Sequence, residues 1–134
     1  MNEQEKAALR KLAEENSLTK DDFFSQVLKN KDGTTSKLVI VKRSGIEKLL
    51  FNNHFRVDYH AELLGIDHAI IKSVIYDKDG KEVIQTYGSA HKGNVKGGMN
   101  YFVEMAEKRA LSRGVLKAIR AYKYNVFGED EIID

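Results

Sequence analysis

The chain has no cysteine and no proline. Without cysteine there is no disulfide framework, no thiolate metal site and no thiol nucleophile. Without proline there is no stiff linker to separate two domains, so 134 residues read as a single domain, long enough to bury most of its unfolded apolar surface. Long hydrophobic runs are missing too. The opening stretch MNEQEKAALRKLAEEN is charged throughout and has no apolar signal core, and no run of 18 apolar residues occurs anywhere. A cytoplasmic location and no membrane partner are the expectations that follow. Catalytic spacing is equally scarce. No serine lies in G-x-S-x-G, and His54, His60, His68 and His91 show no H-E-x-x-H spacing, so neither an enzyme nor a metal or cofactor site is expected. Asp58 and Glu62 alternate with Arg56 and His60, as on a solvated sheet surface.

What the chain does contain is ordinary in amount, with 42% hydrophobic and 31% charged residues, but unevenly placed in charge. Residues 1–30 hold five basic against six acidic side chains, and residues 31–94 hold ten against eight. Residues 95–124 hold seven against two, and residues 125–134 hold four acids and no base. A basic block followed by an acidic tail points to an anionic partner.

Periodicity orders the elements. EQEKAALRKLAEEN is a helix with a thin stripe of Ala7, Ala8, Leu9, Leu12 and Ala13. Thr19, with Asp22 three residues on, predicts the cap of a second short helix through Phe23, Phe24, Val27 and Leu28, closed at Asp32 and Gly33. KLVIV, residues 37–41, is a β-branched strand. Ser44 and Glu47 have capping-box spacing ahead of Ile46, Leu49 and Leu50, which predicts another helix. FRVDYHAELLG alternates Val57, Tyr59, Ala61 and Leu63 with polar neighbours, a strand with one buried face. HAIIKSVIY and KEVIQTYGSA are two more strands joined at Asp79 and Gly80, and the loop HKGNVKGG leads into a helix predicted over residues 100–125. The expected fold is α+β, with an antiparallel β-β-β-α core, a preceding short strand and helix over residues 37–122, a helical extension over residues 1–30 and an acidic tail over residues 125–134.

The last helix carries the strongest chemical signal. At 100° per residue, Leu111, Val115, Ala118, Ile119, Tyr101 and Tyr122 share one sector, and Ala106, Ala110, Gly114 and Ala121 form a small-residue run beside it. The small side chains allow a close approach to a sheet, a reason to keep Gly114 inside a helix. Arg109, Arg113, Lys117 and Arg120 form a basic stripe, whereas Lys108 leans toward the packed side near Glu104. Such a stripe either keeps a helix face solvated or tracks phosphates, which guanidinium groups match in geometry. Lys42 and Arg43 form a second basic spot at a helix start, and the glycine-containing loop, which lacks the G-x-x-x-x-G-K-[ST] order of a nucleotide cradle, offers Lys92 and Lys96 as further contacts for a polyanion. The tail GEDEIID is a candidate to cover the basic groove, to recruit a protein, or to stay disordered.

The β-β-β-α order, the strand end TYGSA and the helix segment EKRAL together resemble single-strand DNA annealing proteins of the Rad-fifty-two type, including their small bacteriophage relatives. The resemblance spans about residues 37–122 and rests on Lys108, Arg109, Ala110 and Leu111, on residues 87–98, and on VIVKRSGIEKLLFNNHFRVDYHAELL. It implies a non-enzymatic protein of recombination or repair that forms rings or arcs as a homo-oligomer. It also implies a shared basic groove that holds single-stranded DNA by its backbone, with the bases free to pair. It implies further that Lys108 and Arg109 contact phosphates, joined by Lys42 or Arg43. Residues 1–30 and the family's aromatic positions have no clear match. A double-stranded RNA-binding domain shares the order α-β-β-β-α, but its lysines open the last helix, where this chain reads MNYFVEMAE. A nucleic-acid-free oligomeric adaptor is the third alternative.

Overall fold

The structure, a computed structural model, describes residues 3–95, 101–124 and 126–131. Helix α1 spans Glu3–Glu15, followed by a single 3-10 turn at Lys20–Asp22 and strands β1 (Phe23–Lys29) and β2 (Thr35–Val41). Then come α2 (Arg43–Asn52), β3 (Arg56–Leu64), β4 (His68–Tyr76), β5 (Glu82–His91) and α3 (Phe102–Ala118). A 3-10 turn at Ala121–Tyr124, the short β6 (Val126–Gly128) and a last 3-10 turn at Glu129–Glu131 complete the described chain. The fold is α+β with the expected antiparallel β-β-β-α unit, in which β3, β4 and β5 form a meander. A second sheet has the order β1-β2-β6, with β6 parallel to β2. Among the described residues no helix is long and apolar enough to cross a membrane.

Three sequence expectations are corrected. The reciprocal cap at Thr19 does form, with its N–H donating to Asp22 Oδ2 at 2.9 Å, but it closes only one turn. The expected helix through Phe23 and Leu28 is instead β1, so residues 1–30 are not all helical. The reason is long-range. FFSQVLK is rich in strand-compatible side chains, and it pairs residue for residue with β2, from Phe23 opposite Val41 to Lys29 opposite Thr35. Second, Ser44 does not cap α2. The helix begins at Arg43, and the Ser44 hydroxyl donates instead to Asp22 Oδ1 at 2.6 Å. Third, α3 ends at Ala118 rather than running to residue 125, because Arg120 adopts a left-handed φ of 60°. Arg120 therefore leaves the helical stripe.

Packing is set from α3. Its small side chains face the meander, where the Ser73 and Thr86 hydroxyls, themselves 2.7 Å apart, both bond the Ala110 carbonyl, at 2.9 and 2.8 Å. Gly114 lies against the same two side chains, so the close approach predicted from its position is present. One core cluster joins Ala69, Ile71, Ala90, Phe102, Ala106 and Ala110. The other joins Val41, Ile46, Leu49, Val115, Leu116 and Val126, with Leu9 and Leu12 of α1 packed on it. The helix thus ties both sheets together. Strand β3 keeps only part of its expected buried face. A β-bulge between Ala61 and Leu63 puts Leu63 opposite Ile70, on the side away from α3, and leaves it 42% exposed.

Asp22 anchors the junction between the turn and α2. It is buried, accepts from Ser44, and pairs with Lys48 Nζ at 2.8 Å. Burial alone would raise its carboxyl, but Lys48, Ser44 and the Thr19 N–H outweigh it and hold the group at about 2, below its ordinary 3.8. A carboxyl depressed in the folded state stabilises above its unfolded value, and that contribution is lost as pH falls through the folded value. Asp22→Asn is expected to destabilise by about 2 kcal/mol at neutral pH, an amount held down by the partial exposure of Lys48. The gap between variant and parent urea midpoints should close as pH falls from about 4 to about 2. A gap that is constant over this window would remove Asp22 as the acid-sensitive anchor.

Candidate nucleic-acid interface

Helix α3 packs on the face of β4 and β5, and because β5 is an edge strand its free edge explains where two of the arginines go. Tyr87 and Ser89 are two residues apart, so their carbonyls lie on the same side of the strand. Arg113 Nη1 donates to Tyr87 O at 3.0 Å and Arg109 Nη1 donates to Ser89 O at 2.8 Å. Two acceptors of β5 are thus occupied by side chains of the chain itself, which blunts that part of the edge.

Arg109 goes furthest inward. It is only 4% exposed, and its guanidinium also donates to Asn94 Oδ1 at 3.1 Å, Asn94 O at 2.5 Å and Asp130 O at 3.0 Å. Burial, then the neighbouring Arg113, lower its affinity for its proton, and Asp130 offsets part of this. An arginine stays charged under such shifts. The residue favoured from sequence as a phosphate contact is, in this geometry, a clamp joining β5, the turn after it and the Glu129–Glu131 turn.

The other cations gather around Glu129–Glu131. Arg43 Nη2 approaches Asp130 Oδ1 at 3.4 Å, and Glu129 Oε1 accepts the Arg43 N–H at 2.7 Å, serving as the N-terminal cap of α2 that Ser44 does not supply. Arg113 Nε lies 3.7 Å from Glu131 Oε2. Glu131 accepts from the Tyr122 hydroxyl at 2.6 Å and from the Gly128 N–H at 3.1 Å. Burial pushes the Glu131 carboxyl above the ordinary range, with Tyr122, Gly128, Arg113 and Lys117 opposing. Burial, and then Glu131, push the Tyr122 hydroxyl up in turn.

Of the eight side chains singled out from sequence, Arg43, Arg109, Arg113 and Lys117 are thus brought around the Glu129–Glu131 turn, with Lys42 next to Arg43 in the chain. Five positive charges there meet the three negative charges of Glu129, Asp130 and Glu131, leaving an excess of two. Arg43 and Arg113 remain roughly half exposed, at 49% and 43%, and Lys117 is exposed, so these three can meet a ligand. Lys92 is exposed in the turn that Asn94 ties to Arg109. Lys108 is half-buried on another side of α3, and Lys96 lies outside the described residues. Sequence reading missed the partners that organise this region, namely Ser89, Asn94, Tyr122 and the capping Glu129. The signal within reach was charge alone, an acidic block that directly follows a basic one. Compared with protein-family models, curated proteins and solved structures, the chain finds no significant match.

Proposed function

We propose that this protein binds single-stranded DNA and anneals complementary strands, in recombination or repair, as an oligomer that displays a basic surface. The observation that carries the reading is the convergence of Arg43, Arg113 and Lys117, exposed or half-exposed, at one end of the β-β-β-α unit, with Lys42 beside them. Guanidinium and ammonium groups so placed hold a phosphate backbone without reading base edges, which leaves the bases available for pairing. Oligomeric display is supported by the free edges of β1 and β3, both at sheet margins and both bearing exposed apolar side chains such as Val27 and Leu64. Annealing by capture and alignment needs no covalent step.

Fluorescence anisotropy with a labelled oligothymidylate, repeated across sodium chloride concentrations, tests this. Four phosphate contacts give a log–log salt slope of about −3, and Arg43→Ala or Arg113→Ala should each flatten it by roughly 0.7. Sizing in the presence of DNA should show an assembly larger than a monomer. Tighter binding to duplex RNA would favour a shape-reading RNA module, and no binding at low salt would leave a nucleic-acid-free adaptor.

A further inference from the structure

We infer that the carboxylates of Glu129 and Asp130 are internal competitors for the phosphates of a bound strand, occupying the start of α2 and Arg43 until nucleic acid replaces them. The inference rests on the single-strand binding reading and adds to it the ligand that holds the site when DNA is absent.

The contacts made by the last turn divide into two kinds. Glu131 is fixed, with bonds of 2.6 Å from Tyr122 and 3.1 Å from the Gly128 N–H, and a side chain that is only 9% exposed. The Asp130 backbone is fixed as well, through Arg109 Nε. The Asp130 side chain is as buried as that of Glu131, at 8%, but it and Glu129 are held at Arg43 rather than by groups of the turn itself. Asp130 meets Arg43 at 3.4 Å, well beyond the roughly 2.7–2.9 Å of a tight charge-assisted bond, and the Arg43 side chain is half exposed. By contrast, Lys48 and Asp22 stand at 2.8 Å. The Glu129 carboxylate sits on the Arg43 N–H at the first turn of α2, where unpaired N–H groups and the helix dipole favour an anion of any kind. A helix start and an arginine that together hold carboxylates present the same donors that hold a phosphate. Rotation of two side chains frees these donors, while Glu131, Val126 and the Arg109 clamp keep the turn in place. The exchange therefore needs no unfolding of β6.

Competition of this kind shows in affinity rather than in salt slope. In the parent, an arriving phosphate must displace a tethered carboxylate at Arg43. Without the carboxylates the donors are open, so affinity rises while the number of phosphates neutralised, which sets the slope, is unchanged. The double variant Glu129→Gln, Asp130→Asn is expected to bind the oligothymidylate roughly tenfold tighter at low salt, about 1.4 kcal/mol. Its log–log slope should match the parent's, because the same phosphates are neutralised. Glu14→Gln, Glu15→Gln changes net charge equally at two exposed positions of α1 and is the control. Both variants are also read at about 0.15 M salt, where the Debye length is about 8 Å and this general charge effect should fall below about twofold. A double variant that binds no more tightly than this control overturns the inference while leaving single-strand binding intact. Loss of binding by the parent itself overturns both. A second measurement needs no variant. Arg43 amide exchange with solvent, followed in the parent by hydrogen–deuterium exchange, should change on addition of oligothymidylate as its acceptor is replaced, while the Gly128 amide, held by Glu131, should not. Unchanged exchange at Arg43 in the DNA-bound protein counts against the inference.

Discussion

Arg109→Ala is expected to cost about 3–5 kcal/mol of stability, read as a large fall in the urea midpoint at unchanged slope. Its guanidinium makes four hydrogen bonds, and three of the acceptors are backbone carbonyls, those of Ser89, Asn94 and Asp130. Truncation leaves these carbonyls without their donor at a nearly buried site, and each such loss costs on the order of 1–3 kcal/mol when water cannot enter. Arg109→Lys should recover little, because one ammonium cannot reach across a strand edge, the turn after it and the Glu129–Glu131 turn as a planar fork does. The distinction matters for function. Weak DNA binding by Arg109→Ala would report a damaged fold, whereas Arg43→Ala and Arg113→Ala alter side chains that are roughly half exposed. If Arg109→Ala melted like the parent and lost only DNA affinity, the clamp would be the wrong description and a direct phosphate contact the right one.

The parts of the fold that were legible are those where local pattern and tertiary role agree. Alternation in β3, the turn at Asp79 and Gly80 between the next two strands, and the small-residue run of α3 each point to the element that forms. Phe23, Phe24, Val27 and Leu28 were ambiguous, because their spacing suits a helix face while their composition suits a strand. Pairing with β2 decided between them, and that contact cannot be seen from one segment. β6 has three residues and is too short to leave a period. Arg109 shows the same limit at the site. A helical wheel groups it with Arg113 and Lys117 by spacing, but only the position of the β5 edge shows that it turns inward to carbonyls. The basic cluster was visible in the sequence as charge, and its acidic counterpart as a tail. Their pairing was not, because it depends on β6 carrying the tail back to the start of α2.

Gly88→Ala is the second substitution expected to act strongly. A Cβ at this position would overlap the Ala106 carbonyl oxygen and the Ala110 amide nitrogen, both main-chain atoms of α3 that no rotamer change can move aside. The helix would have to lift from β5, and the Ala110 carbonyl would then lose the Ser73 and Thr86 hydroxyls, which would be left buried without it. A cost of about 3 kcal/mol or more follows from forced displacement of packed backbone together with those lost bonds. Two other glycines calibrate this. At Gly80, with φ of 80° and nothing within 4 Å, alanine meets only backbone strain, about 1 kcal/mol. At Gly114 a Cβ would press Ser73 Oγ at 2.9 Å and Ile75 Cγ1 at 3.0 Å, side-chain atoms that can yield in part, and helix propensity would return some of the loss. Urea titrations should therefore rank Gly88→Ala as most damaging, Gly114→Ala next and Gly80→Ala least. If Gly88→Ala were as mild as Gly80→Ala, α3 would not rest on β5 as closely as described. The Arg109 clamp and the arginine-capped strand edge, which both depend on that approach, would then have to be abandoned with it.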